Sequence, residues 1–159
     1  MPLKETIQMY LTPAIFGREI SETEHKLFNL PTKLGGMAIK DPVLTVKKSY
    51  ETSKRAVEKL TSCIKMHEDL NTGEHKLHLQ TVLQEQKKIR QKENKETSDF
   101  LMSTLNEKKK RTIKRIIEGN ASHWLNVIPT AADNYDLSAT QFRDALSLRY
   151  GHEISLPEK

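Results

Sequence analysis

The chain has a single cysteine, Cys63. One thiol cannot close an internal disulfide or furnish a cysteine-based zinc site, which excludes disulfide-stapled scaffolds and zinc fingers. A reducing intracellular compartment, cytoplasmic or nuclear, is therefore expected. Aromatic residues are scarce at 6%, and apolar residues reach only 36% against 30% charged. So little apolar material predicts a thin core under long solvated faces, which suits helices better than a sandwich. No apolar run approaches membrane-spanning length, and the opening MPLKETIQMYLTPAIF lacks the continuous apolar core of a signal peptide. No membrane partner is expected. Glycine and proline number six each, and none falls between Glu74 and Glu118.

What is present is charge. The 159 residues carry 26 Lys and Arg against 21 Asp and Glu, a net charge of +5. That is one domain in length, with an excess that favours polyanionic partners. Leu3, Ile7, Tyr10 and Leu11 recur at helical spacing until Thr12-Pro13, which is expected to interrupt the helix. Ser21 followed by Glu24 spells a capping box, and Pro31 stops the helix it opens.

The stretch LPTKLGGMAIKDP then packs turn signals closely. Gly35-Gly36 gives backbone freedom, and Asp41-Pro42 reads as an N-cap with proline at the first helical position. Tyr50, Val57, Leu60, Ile64 and His67 recur every three or four residues, predicting a long amphipathic helix to about Leu70. Leu34, Met37 and Ile39 are expected against it.

Residues 74–118 read either as one unbroken helix or as two helices meeting near Lys95–Ser98, where QKENKETSD is wholly polar. Gly119-Asn120 closes them. Farther on, Ser122 is expected to cap a short Trp124 turn. Ser138, Gln141, Leu137 and Phe142 predict a capping box with a hydrophobic staple, and Gly151 a stop. The expectation is an all-α fold in one irregular helical domain. Its parts are short helices and the Gly-Gly turn (1–42), an amphipathic helix (43–70), a long basic helix or helix pair (74–118), and a Trp turn with a capped helix (121–151).

Few constellations carry chemistry. LGGMAIKD has neither the spacing nor the Lys-Ser/Thr of a phosphate loop, so a structural turn is expected. His67, His75 and His78 lack acidic or thiolate partners at metal-site spacing and read as solvated. Cys63, beside Ile64, reads as a buried thiol, and Trp124 and Tyr135 as core anchors. No catalytic residue, metal ligand or cofactor site is expected. The stronger signal is EKKKRTIKRIIE, where Lys108, Lys109, Lys110, Arg111, Lys114 and Arg115 crowd about two turns. As a helix it would turn Thr112, Ile113, Ile116 and Ile117 inward and its cations outward. Such a patch neutralises phosphates of RNA or DNA and gains affinity from counterion release. The alternative is an ordinary solvated face, or a Lys/Glu helix that pairs with itself or a partner.

Two flanking stretches resemble a known family. AIFGREISETEHKLFNLPTKLGGMAIKDPV is similar to the segment after the polymerase domain in reverse transcriptases of non-LTR-type retroelements. The resemblance rests on Pro13, Ala14, Gly17, Ser21, Glu24, Leu30, Pro31, Leu34, Gly35, Gly36, Ile39 and Pro42. ASHWLNVIPTAADNYDLSATQFRDALSLRYG resembles a second signature of the same proteins. There it rests on Ala121, Ser122, Trp124, Leu125, Pro129, Phe142, Asp144, Ala145, Leu148, Arg149, Tyr150 and Gly151. The resemblance implies a helical linker between catalytic parts, attached to the rest of a reverse transcriptase. It also implies paired polymerase aspartates upstream, which this sequence does not contain, and a Cys/His knuckle and nuclease-like segment downstream. The expectation is a fragment or degenerate copy without chemistry of its own.

Overall fold

The structure, a computed structural model, describes residues 2–119 and 122–152. Among the described residues the regular structure is helical with no strand, and the fold is all-α. Asn120 and Ala121 of the sequence motifs lie outside the described residues. The chain divides into two units: the first falls within Met1–Lys40 and Thr97–Lys159, and the second is Asp41–Glu96.

The first unit opens with α1 (Leu3–Thr6) and α2 (Thr12–Phe16), joined by a π-turn at Ile7–Leu11. Proline lacks an N–H and its ring clashes with the carbonyl four residues back. Widening the preceding turn relieves this, and Thr12 closes it: both its N–H and its Oγ1 donate to Ile7 O, the latter at 2.8 Å. Thr12-Pro13 therefore does not interrupt the helix, which runs on to a left-handed Gly17.

Next comes α3 (Glu22–Asn29), opened by the Ser21/Glu24 capping box. Leu30 is extended before Pro31, as steric contact with the proline ring requires. Gly35 then takes φ 83, and the chain doubles back. The N–H groups of Met37 and Ile39 both donate to Phe28 O at 3.1 Å, and that of Ala38 to Leu30 O at 2.8 Å. Carbonyls that α3 leaves open at its end are thereby satisfied. Because the turn returns onto α3, Leu34, Met37 and Ile39 pack on the core of this unit.

That core is Phe16, Leu27, Phe28, Leu30, Leu101, Ile113, Ile116, Leu146 and Tyr150. Phe16 stacks on Phe28 at 4.3 Å, and Tyr150 meets Phe28 edge-on at 5.2 Å. With so few aromatics, these rings carry much of the buried area. Tyr135, expected as an anchor, is instead exposed on the loop before the last helix. Trp124 is half-buried against Phe142.

The second unit holds α4 (Pro42–Ala56), α5 (Glu58–Met66) and most of α6 (Thr72–Thr104). Asp41 caps α4 by accepting from Val43 and Leu44 N–H. The long helix expected here breaks at Val57 and ends at Met66, where His67 adopts φ 56. Buried apolar side chains in this unit are Ala56 and Val82. Ion pairs join its helices: Lys48 with Glu93, Arg55 with Glu85 at 2.7 Å, and Lys59 with Glu74 at 3.4 Å. Of the expected amphipathic face, Tyr50, Val57 and Ile64 are instead exposed, at 69%, 41% and 65%, and Leu60 is half-buried; Val43 and Val46 are exposed as well. Cys63 is half-buried.

The basic stretch is two helices. α6 runs through QKENKETSD without a break, helped by the i,i+4 pair Lys92–Glu96. It ends at Thr104, where Ser103 and Thr104 hydroxyls donate to carbonyls three residues back. Asn106 then caps α7 (Glu107–Glu118) by accepting from Lys109 N–H at 2.9 Å. The junction is thus at Leu105-Asn106 and not near Lys95–Ser98, since side-chain capping places it where polar composition alone does not.

One stability change follows from α6. A Cβ on Gly73 would meet only Asn71 Oδ1, at 3.4 Å. Gly73→Ala is expected to stabilise the protein by about 0.5–1 kcal/mol, by removing backbone freedom from the unfolded chain. A thermal melt followed by far-UV circular dichroism measures it.

Candidate nucleic-acid interface

α7 buries Ile113 and Ile116 fully and Thr112 and Ile117 in part. The remaining circumference carries the cations. Lys109 lies on the core side and pairs with Glu24 at 3.6 Å, while Lys110 pairs with Glu107 at 2.9 Å. Lys108, Arg111, Lys114 and Arg115 are exposed, and no ion pair engages them among the described residues. Lys108, Arg111 and Arg115 follow i, i+3, i+7 spacing and form one row. Three lysines in the first turn also sit at the positive end of the helix dipole, where cations are locally unfavourable and anions are attracted. The six candidate residues therefore separate into four uncommitted cations and two tied to carboxylates.

Glu24 explains why Lys109 is tied. Its carboxylate is 10% exposed and accepts from Arg18 at 2.8 and 3.2 Å, from Ser21 N–H at 3.1 Å and from the Ser21 hydroxyl at 3.0 Å. Burial pushes its carboxyl up, but Arg18 and the two Ser21 donors more than offset this and hold it down at about 2. His152 Nε2 lies 2.7 Å from Arg18 Nη2, and burial first, then the Arg18 charge, push the imidazole below its ordinary range. With its pKa lowered, Glu24 contributes stability that is present above about pH 4.5 and lost as pH falls towards 2. Lowered His152 works in the same direction from pH 6.5 downward, because the unfolded chain takes the proton first. Denaturant midpoints should therefore fall steadily on acidification. Glu24→Gln is expected to cost roughly 1–3 kcal/mol at pH 7 and much less at pH 2, which urea titrations at the two pH values measure.

The two flanking motifs meet in the same unit. Arg149, 6% exposed, donates from Nη2 to Gly36 O at 3.3 Å and to Ser122 Oγ at 3.0 Å. Ser122 in turn donates to Thr32 O at 2.8 Å, and Tyr150 OH donates to Gly35 O at 3.0 Å. Ser122 is thus a link to the glycine turn and makes no cap for the Trp124 turn. Leu30 is buried in the core, Pro31 accepts from Leu34 and Gly36 N–H, and Phe142 meets the Trp124 ring at 5.8 Å. Gly151 ends α8 (Ala139–Tyr150) in the left-handed region beside Thr112, and Pro42 opens α4 in the other unit. Of these motif residues, Ser122, Arg149 and Tyr150 hold the glycine turn to the end of α8.

His75 and His78 sit on α6, with His78 Nε2 at 2.9 Å from Arg55 O. Among the described residues no group of three His, Cys, Asp or Glu side chains comes together as a metal site. No helix among them is long and apolar enough to cross a membrane. Sequence reasoning missed the Arg18–Glu24–His152 cluster, whose members lie up to 134 positions apart. No known protein family matches the sequence, and neither a curated protein nor a solved structure matches it.

Proposed function

We propose that this chain is a noncatalytic helical module of a non-LTR-type retroelement reverse transcriptase, holding template or target RNA or DNA on α7. The observation that carries the reading is the row of exposed cations, Lys108, Arg111 and Arg115 with Lys114 beside it, left without carboxylate partners among the described residues. A second support is the meeting of Gly35, Gly36, Ser122, Arg149 and Tyr150 in one joint, since these residues also carry the resemblance. An intracellular location, cytoplasmic or nuclear, goes with this reading.

Fluorescence anisotropy with labelled RNA and DNA over stepped salt concentrations tests it. Each phosphate contact adds roughly 0.7–0.9 to the slope of log affinity against log salt, so four cations give a slope near −3. Replacing Lys108, Arg111, Lys114 and Arg115 with Gln should remove most of that slope and lower low-salt affinity by roughly a hundredfold or more. Absent or salt-insensitive binding overturns the nucleic-acid role. A polymerase domain with paired aspartates upstream in the same reading frame would support the parentage.

A second reading, a helix-docking module, is favoured by one observation: Val43, Val46 and Tyr50 form an exposed apolar stripe at a/d spacing on α4. Light scattering over a concentration series tests self-association through it. A monomer at all concentrations argues against pairing between copies.

A further inference from the structure

The cation row on α7 leads into an open groove. Arg115 and Ile116 of α7, His123 and Trp124 of the following turn, and Ala145, Leu148 and the buried Arg149 of α8 line a cavity of about 450 Å³. Its volume falls in the range of roughly 300–1,000 Å³ common to small-ligand clefts. An apolar wall stands beside a cationic rim. Trp124 is half-buried, meets Phe142 edge-on at 5.8 Å and 73°, and lines the groove. Leu148 is 62% exposed at the groove. Arg115 and His123 are exposed at the same rim.

We propose that this groove takes one unstacked nucleobase of a single-stranded nucleic acid, stacked on Trp124 and covered by Leu148. Adjoining phosphates lie on Arg115 and on Arg111, one turn before it. The inference rests on the nucleic-acid reading of α7 and names the form of nucleic acid that this site takes. A base–indole stack needs a free π-face, which single strands offer and a duplex keeps inside its own stack. Arg115 supplies a planar cation suited to phosphate, and the exposed His123 a further ring donor. The row of cations alone would accept either form; the groove makes the distinction.

Trp124 is the only tryptophan in the chain, so its fluorescence reports this site directly. The full chain is titrated at low salt with oligo(dT) and oligo(U), and with a duplex of equal length. Single strands are expected to quench Trp124 and to bind roughly tenfold more tightly than the duplex. Trp124→Leu should erase that preference, while Trp124→Phe retains part of it. Leu148→Glu changes an exposed position, leaves the tryptophan as a reporter, and places a carboxylate at the groove mouth. It should abolish quenching and bring single-strand affinity down to the duplex level, even if Trp124→Leu fails to fold. Salt-dependent binding with unchanged Trp124 emission and equal affinity for both forms overturns the groove and leaves the α7 reading standing. No binding of any nucleic acid overturns both.

Discussion

Gly36→Ala is expected to leave the first unit unable to fold. A Cβ at this position would lie 2.0 Å from Leu30 O, 2.5 Å from Leu30 C and 2.6 Å from Leu27 O. These are backbone atoms at the end of α3, so no rotamer change can make room. Moving the Leu30 carbonyl would break its bond from Ala38 N–H and displace Leu30, which is 3% exposed in the core. Moving Gly36 instead would break its own N–H bond to Pro31 O and take its carbonyl away from Arg149. Either route removes several buried hydrogen bonds, at about 1–3 kcal/mol for each group left unsatisfied. The sum exceeds about 4 kcal/mol, a large share of the roughly 5–15 kcal/mol that holds a domain together.

Gly35→Ala gives a graded comparison. Its φ of 83 is strained for alanine, and the new methyl would meet Ile113 Cγ2 at 3.1 Å, a side chain that can yield. About 1–3 kcal/mol is expected there. Urea unfolding followed by circular dichroism, with amide spectra as a check on tertiary order, separates the two. A Gly36→Ala protein with native dispersion and a midpoint near that of Gly35→Ala would show that the turn is looser than these contacts require.

Why the glycine pair matters was only half readable from the sequence. Turn chemistry is local, so the Ser21, Asp41 and Ser138 caps, the turn at Gly35 and the stop at Gly151 follow from short spacings alone, whereas the stop at Gly17 was hidden behind the break expected at Thr12-Pro13. Gly36 is different: its φ is not in the left-handed region, and the demand for glycine comes from a carbonyl six positions earlier, brought close by the return of the chain. The inward face of α7 followed from periodicity, because Ile113 and Ile116 repeat at helical spacing in an otherwise cationic run. Periodicity failed on α4. There Tyr50 is exposed, as are Val57 and Ile64 beyond it, and what links α4 to α6 is the ion pairs of Lys48 with Glu93 and Arg55 with Glu85. A hydrophobic pattern says that a face can be buried, not what buries it. The separation of bound from uncommitted cations on α7 was equally hidden, since Lys109 is engaged by a glutamate 85 residues earlier.

Arg149→Ala is expected to cost several kcal/mol, about 1–3 kcal/mol for each of the two buried acceptors it leaves unsatisfied. The guanidinium spans two acceptors on different segments, Gly36 O and Ser122 Oγ, and Ser122 passes the link on to Thr32 O. Lysine keeps the charge but is a point donor on a flexible stem, so Arg149→Lys should recover only part of the loss. Tyr150→Phe removes the hydroxyl donor to Gly35 O while keeping the ring against Phe28, and should cost about 1 kcal/mol. Ser122→Ala shares a partner with Arg149, so the double variant should fall short of additivity by roughly 0.5–3 kcal/mol. Urea unfolding of the four variants and the pair measures this order. Equal, small losses throughout would mean that the joint does not hold the glycine turn. The same proteins decide between structure and contact: for each variant that remains folded, the salt slope of nucleic-acid binding should stay at its wild-type value, because Arg149, though it lines the groove, is buried and bonded to Gly36 O and Ser122 Oγ while the phosphates lie on the exposed cations of α7. A folded Arg149→Ala protein with a slope lowered by about one would instead move Arg149 from the joint to the interface.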